Sequence, residues 1–182
     1  MRKTPHLCTR LIAWLCMAFG LGLGTAHAME PVGELDLKAA YVFNFLQFIG
    51  WPDSNGAPTN DLTLCVSSFS PLKRPLAALD GKQAAKGRAL RVKLLEASAL
   101  PGCHVAVLDS ADVEPVLRAL HALPAAHGVL TVSDTTIFYS PDIVIALAKE
   151  EGRIVFSIHS EAATKAGLTI SSRLLRLAKA GR

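Results

Sequence analysis

The sequence predicts a single α/β domain built on a mixed β-sheet with helices packed on its faces. Three observations point there. Short strand-like apolar runs alternate with helix-length segments through the first part of the chain. Two of the runs, His104-Val-Ala-Val-Leu108 and Ile143-Val-Ile-Ala-Leu147, are almost wholly apolar, as interior strands covered on both faces are. Late in the chain, Glu150-Glu151-Gly152 turns the second of these into an alternating segment, 153–159, which reads as a hairpin.

The individual elements follow in order. Residues 34–49 form the clearest helix, with Tyr41, Phe45 and Phe48 on one face and Gly50-Trp51-Pro52 as its stop. Residues 52–61, with Asn55-Gly56 and two prolines, form a loop. Alternation predicts a strand over 62–66, and a short helix suits 71–79. Asp80-Gly81 is a turn, 82–87 a polar connector and 89–95 a second strand. After the Pro101-Gly102 turn comes the strand 104–108, then a helix over 112–123 with Asp112 near its start, where a carboxylate suits the free amides. Strands follow at 129–132 and 143–147. In 153–159, Ile154, Phe156 and Ile158 take one face, and Arg153, Val155, Ser157 and His159 the other. Ser160 caps a helix over 161–166 that ends at Gly167. The last helix, 171–180, sets Leu174, Leu175 and Leu177 against Arg173, Arg176 and Lys179.

The N-terminus reads as a secretory leader. Residues 1–28 hold Arg2, Lys3 and Arg10, then an apolar, glycine-rich stretch to Gly24, then the small-x-small site Ala26-His27-Ala28. The uncharged run falls short of the ~20 apolar residues a membrane span needs. We therefore expect a soluble exported domain over 29–182, in a bacterial periplasm. The chain has 19 basic and 15 acidic residues, and three of the basic ones lie in the leader. What remains is close to neutral, which argues against a strongly basic nucleic-acid binder.

Export also changes the meaning of Cys65 and Cys103, the two cysteines outside the leader. An oxidising compartment favours a disulfide between them, the alternative being two unpaired buried thiols. No C-x-x-C is present, so a thioredoxin-type redox role has no support.

Catalytic patterns are missing. The sequence has no G-x-S-x-G, H-E-x-x-H, glycine-rich phosphate loop or EF-hand. Cys103 and His104 are neighbours on a strand and point to opposite faces, so they cannot readily share a proton. His121 and His127 flank a turn at Pro124 without the three or four ligands zinc requires, so no metal or cofactor is expected. The basic run Lys82, Lys86, Arg88, Arg91 and Lys93 reads as a solvated hairpin face. Arg153, Ser157 and His159 share a strand face and are candidates for holding a small anion or a partner. Trp51, at a helix end before a loop, is a candidate partner anchor.

An ordered set of segments resembles the YfiR family of periplasmic proteins. These are Lys38-Ala-Ala through Trp51-Pro52, Leu62-Thr-Leu-Cys65-Val, Cys103-His-Val-Ala-Val-Leu108, Leu130-Thr-Val-Ser-Asp134, Phe156-Ser-Ile158, and Gly167-Leu-Thr-Ile-Ser-Ser-Arg-Leu-Leu-Arg-Leu-Ala178. The resemblance implies a regulator. Proteins like YfiR bind the periplasmic sensing domain of an inner-membrane diguanylate cyclase and repress cyclic di-GMP synthesis and biofilm growth. It implies too that Cys65 and Cys103 match the family's cysteine pair, whose reduction relieves repression. Small-molecule binding and homodimerisation are associated with the family. Two departures stand out: Ser140-Pro141-Asp142 replaces the family's two glycines, and Ser157 and His159 replace an acidic residue and an Asn.

Two functional classes are therefore in view. One is a non-enzymatic repressor of a membrane cyclase. The other is a small-ligand module with Arg153 and His159 clamping an anion. A periplasmic enzyme of unrecognised type is a third, with His159 as the residue to test.

Overall fold

The computed structural model describes residues 33–52, 61–134 and 140–178. The leader 1–28, with its cleavage site, and most of the 52–61 loop lie outside the described residues. The described chain enters through α1 (Glu34–Phe45) and a two-residue strand, β1 (Ile49–Gly50). Then follow β2 (Asp61–Val66), α2 (Lys73–Ala77), β3 (Ala89–Leu94), β4 (Val105–Leu108), α3 (Val113–His121) and β5 (Leu130–Ser133). The hairpin β6 (Ile145–Glu150) and β7 (Arg153–Ile158) leads into α4 (Ser160–Lys165), β8 (Thr169–Ile170) and α5 (Ser172–Leu177).

Six strands form the main sheet in the order β3-β2-β4-β5-β6-β7. The first five run parallel, and β7 closes one edge antiparallel. The mixed α/β sheet is thus the one expected, with the direction of winding reversing between β2 and β4. Helices and turns pack on both faces of this sheet, and this produces two cores. One face buries Leu62, Leu64, Val105, Val107, Leu130 and Ile145 under α1 and α2. There Phe45 packs tilted against Phe156 at 4.8 Å between ring centres, with Tyr41 edge-on to both. The other face buries Cys65, Ala106 and Leu108 under α3 and the 3-10 turn Ala97–Gly102. The interior placement of β4 holds: all four residues are buried.

Several expectations need correction. The first helix stops at Phe45, not at 49, because its last turn tightens and Ile49–Gly50 pairs with Thr169–Ile170 instead. Asp112 does not cap α3 with its side chain; its Oδ1 accepts the Asp109 N–H at 3.3 Å. Ser160 is the first helical residue of α4 and His159 takes the cap position. Ser171 does cap α5, accepting the Leu174 N–H at 3.3 Å. Yet α5 buries only Leu174; Leu175 and Leu177 are exposed, because a helix this short presents one turn to the core. The basic run does start on a hairpin, closed by the Ala84 N–H to the Arg88 carbonyl at 2.7 Å and the Leu90 N–H to that of Lys82 at 2.9 Å. It continues along β3, an edge strand parallel to β2, with Arg91 paired to Asp61 at 2.8 Å. Finally, β6 is covered fully on one face only: Ile145 and Leu147 are buried, Ala146 and Ala148 half-exposed.

Candidate functional site

Cys65 and Cys103 form a disulfide, with Cα atoms 5.8 Å apart. Cys65 points from β2 into the second core, and Cys103 ends the 3-10 turn that covers it. The bond pins that turn to the centre of the sheet. Both residues are buried.

Next to Cys103 is the first of three polar groupings. At the N-terminal ends of β2 and β4, His104 Nδ1 accepts the Thr63 N–H at 3.1 Å. The neutral ring therefore carries its proton on Nε2. Arg88 Nη2 lies 3.1 Å from that nitrogen but can only donate, and it is held instead by the Asp61 carbonyl at 2.9 Å. Burial, and then the adjacent guanidinium, push the His104 pKa below its usual value, so the ring is held neutral. Trp51 completes the group. Its Nε1–H donates to the His104 carbonyl at 3.2 Å, and its ring stands edge-on to the imidazole at 6.2 Å. Trp51 is half-buried, fixed at its polar end with part of its ring open to solvent.

The strand-face candidates lie elsewhere. Arg153 starts β7 opposite Glu150, while His159 follows the far end of the strand and donates its N–H to the Val144 carbonyl. Six strand steps separate them, about 20 Å. The face predicted for Arg153, Ser157 and His159 is the outward one, but Arg153 and His159 do not converge on one small anion. What this face does offer is a shallow half-exposed strip, with Ser157 opposite Ala146 and Val155 opposite Ala148. Among the described residues β7 pairs only with β6, so its outer backbone edge is open.

Residues 35–179 match the YfiR/HmsC-like family. The chain belongs to that family. No curated protein matches the chain. YfiR/HmsC-like proteins are periplasmic regulators, associated in general with diguanylate cyclases. Among the described residues of this member, no helix is long and apolar enough to cross a membrane.

Two further groupings in this YfiR/HmsC-like domain escaped the sequence reading. At the C-terminal ends of the parallel strands, Glu34 on α1 is held by Lys38 at 3.1 Å and Lys149 at 2.7 Å. These contacts, that to Lys149 first, lower the Glu34 pKa. Asp134, just past β5, is buried with no partner for Oδ1. Burial raises its pKa; the field of Lys38 opposes this and that of Asp109 adds to it.

At the opposite ends of the strands, Asp142 gathers a histidine and a lysine. His121 Nε2 meets its Oδ2 at 2.8 Å and Lys165 Nζ donates to Oδ1 at 3.2 Å. Burial would raise the Asp142 pKa, but these two hydrogen bonds outweigh it and the pKa is lowered. No set of three or more His, Cys, Asp or Glu among the described residues is placed to hold a metal ion. The only local signal for the Asp142 group was the His121–Pro124–His127 turn; nothing in the spacing tied it to Asp142 or Lys165.

Proposed function

We propose that this protein is a non-enzymatic periplasmic repressor. It is exported by the cleavable leader 1–28, and its domain, 29–182, binds the sensing domain of an inner-membrane diguanylate cyclase. Binding holds the cyclase inactive and so lowers cyclic di-GMP and biofilm growth. The match of residues 35–179 to the YfiR/HmsC-like family carries this reading. The buried Cys65–Cys103 disulfide supports it, since such bonds persist in oxidising compartments.

The mechanism is a population shift. A regulator changes its partner only through differential affinity for the two states, and moving a 1:99 equilibrium to 99:1 takes about 5.5 kcal/mol. The proposed contact surface is the open edge and outer face of β7, with Arg153, Ser157 and His159, together with the anchored indole of Trp51. Aromatic and Arg side chains are the residue types that dominate interface energetics. Homodimerisation through the same β7 edge is the competing use of this surface, and nucleic acid is not among the proposed partners.

The test is deletion of the coding region with measurement of cellular cyclic di-GMP. The nucleotide is expected to rise, and to fall again when the wild-type gene is restored. An unchanged level, with no membrane cyclase co-purifying, would end the proposal. Trp51→Ala and Arg153→Glu in the restored copy should weaken repression while the protein remains folded.

A further inference from the structure

A cavity of about 410 Å3 opens at the N-terminal ends of β5 and β6, between the end of α3 and α4. Its floor is apolar, made by Leu120, Leu123, Val129 and Val144. Its rim carries His121, His127, Asp142 and Lys165. The wall is rigid: the Ala126 N–H donates to the Lys165 carbonyl at 3.1 Å, and the Gly128 N–H to that of Ala166 at 2.8 Å. Such a preformed apolar pocket with a few convergent polar groups suits a small organic molecule.

The hydrogen-bond count on the rim decides the ligand's chemistry. Asp142 is the one carboxylate, and both its oxygens are already engaged by His121 and Lys165. The Thr131 hydroxyl is spent, donating to the Asp142 carbonyl at 2.6 Å and accepting the Val144 N–H at 2.9 Å. His127 Nδ1 accepts the Val129 N–H at 3.0 Å, which leaves the ring proton on Nε2. That N–H meets no acceptor among the described residues, and Lys165 Nζ has donors left after its bond to Asp142. The rim therefore offers two donors free to meet a ligand, the His127 Nε2–H and a Lys165 N–H.

We propose that this cavity binds a small organic carboxylate. The apolar body rests on Leu120, Leu123, Val129 and Val144, and the carboxylate takes the His127 Nε2–H and a Lys165 N–H. The site is separate from the β7 face and does not depend on the cyclase reading.

The test is calorimetric titration of the purified protein with phenylacetate, and with phenethylamine as a cation of similar size. Phenylacetate should bind saturably and phenethylamine should not. Lys165→Gln changes an exposed side chain, so the fold is kept, and affinity should drop about tenfold, as loss of a charge-assisted hydrogen bond does. His127→Asn keeps an acceptor for Val129 but removes the Nε2–H, with a similar drop expected. Asp142→Asn removes the negative charge beside the site and should tighten phenylacetate binding. Lys93→Gln, on the exposed edge strand β3 away from the cavity, should leave phenylacetate binding unchanged. Absence of saturable phenylacetate binding, or binding indifferent to Lys165→Gln, would overturn the assignment. So would a site that prefers phenethylamine and loses it in Asp142→Asn.

Discussion

Reduction of the Cys65–Cys103 bond is the most informative perturbation of this fold. The bond closes a loop with a sequence separation of 38. In the chain-entropy account such a closure removes about 13 cal/mol/K from the unfolded ensemble, or about 4 kcal/mol at 25 °C. That is a large share of the roughly 5–15 kcal/mol by which domains are stable. Reduction, unlike substitution, leaves both sulfurs in the second core, where a buried thiol packs as a small hydrophobe. The loss measured on reduction is therefore the cross-link alone, and Cys65→Ala with Cys103→Ala should lose more. The assay is urea unfolding with and without thiol, followed by the fluorescence of Trp51. At a slope of about 2 kcal/mol/M, the midpoint should fall by about 2 M. A fully reduced protein with an unmoved midpoint would refute the reasoning and remove the basis for a redox-relieved repressor.

Other outcomes follow from single contacts. Gly167 has φ +73°, and a Cβ there would lie 2.7 Å from that of Ala126, so Gly167→Ala should cost about 2 kcal/mol or more in a denaturant melt. Phe156→Ala empties the ring cluster with Phe45 and Tyr41 and should cost about 3–5 kcal/mol by the same measurement. Burial raises the Asp134 pKa above its usual 3.8, so the fold disfavours this carboxylate once pH rises through the folded value. Asp134→Asn should thus be more stable than wild type at pH 7, with the gain vanishing below pH 3.8. His104 and His127 are held below their usual 6.5, chiefly by burial, so they contribute stability above that pH that is lost as pH falls. Melting temperature should decline below pH 6.5, and His104→Asn, which keeps an acceptor for Thr63, should flatten the decline.

The sheet was legible because its evidence is local. Apolar runs, turn residues and alternation mark β2 to β7 within a residue or two at most ends. The β1–β8 pair was not, since two residues carry no period and Ile49–Gly50 become a strand only by meeting Thr169–Ile170. Compartment chemistry made the disulfide readable. Alternation put Arg153 and His159 on one face, but His159 falls past the end of β7 and period two says nothing of distance along the strand. The Asp142 group failed for a related reason: its members are 21 and 23 residues from Asp142 and meet only where strand ends and helix ends come together. The sequence around His121 and His127 shows no partner for either, because the carboxylate beside one and the lysine beside the other come from different elements.

The Cys65–Cys103 bridge makes α2, β3 and their turns a covalent ring, with the rest of the polypeptide leaving it as two tails. A protease that cuts once inside residues 66–102 opens the ring without detaching anything. The nicked molecule would migrate as one band without thiol and as two with it. An outer strand on that side of the sheet can thus be severed and still be held in place.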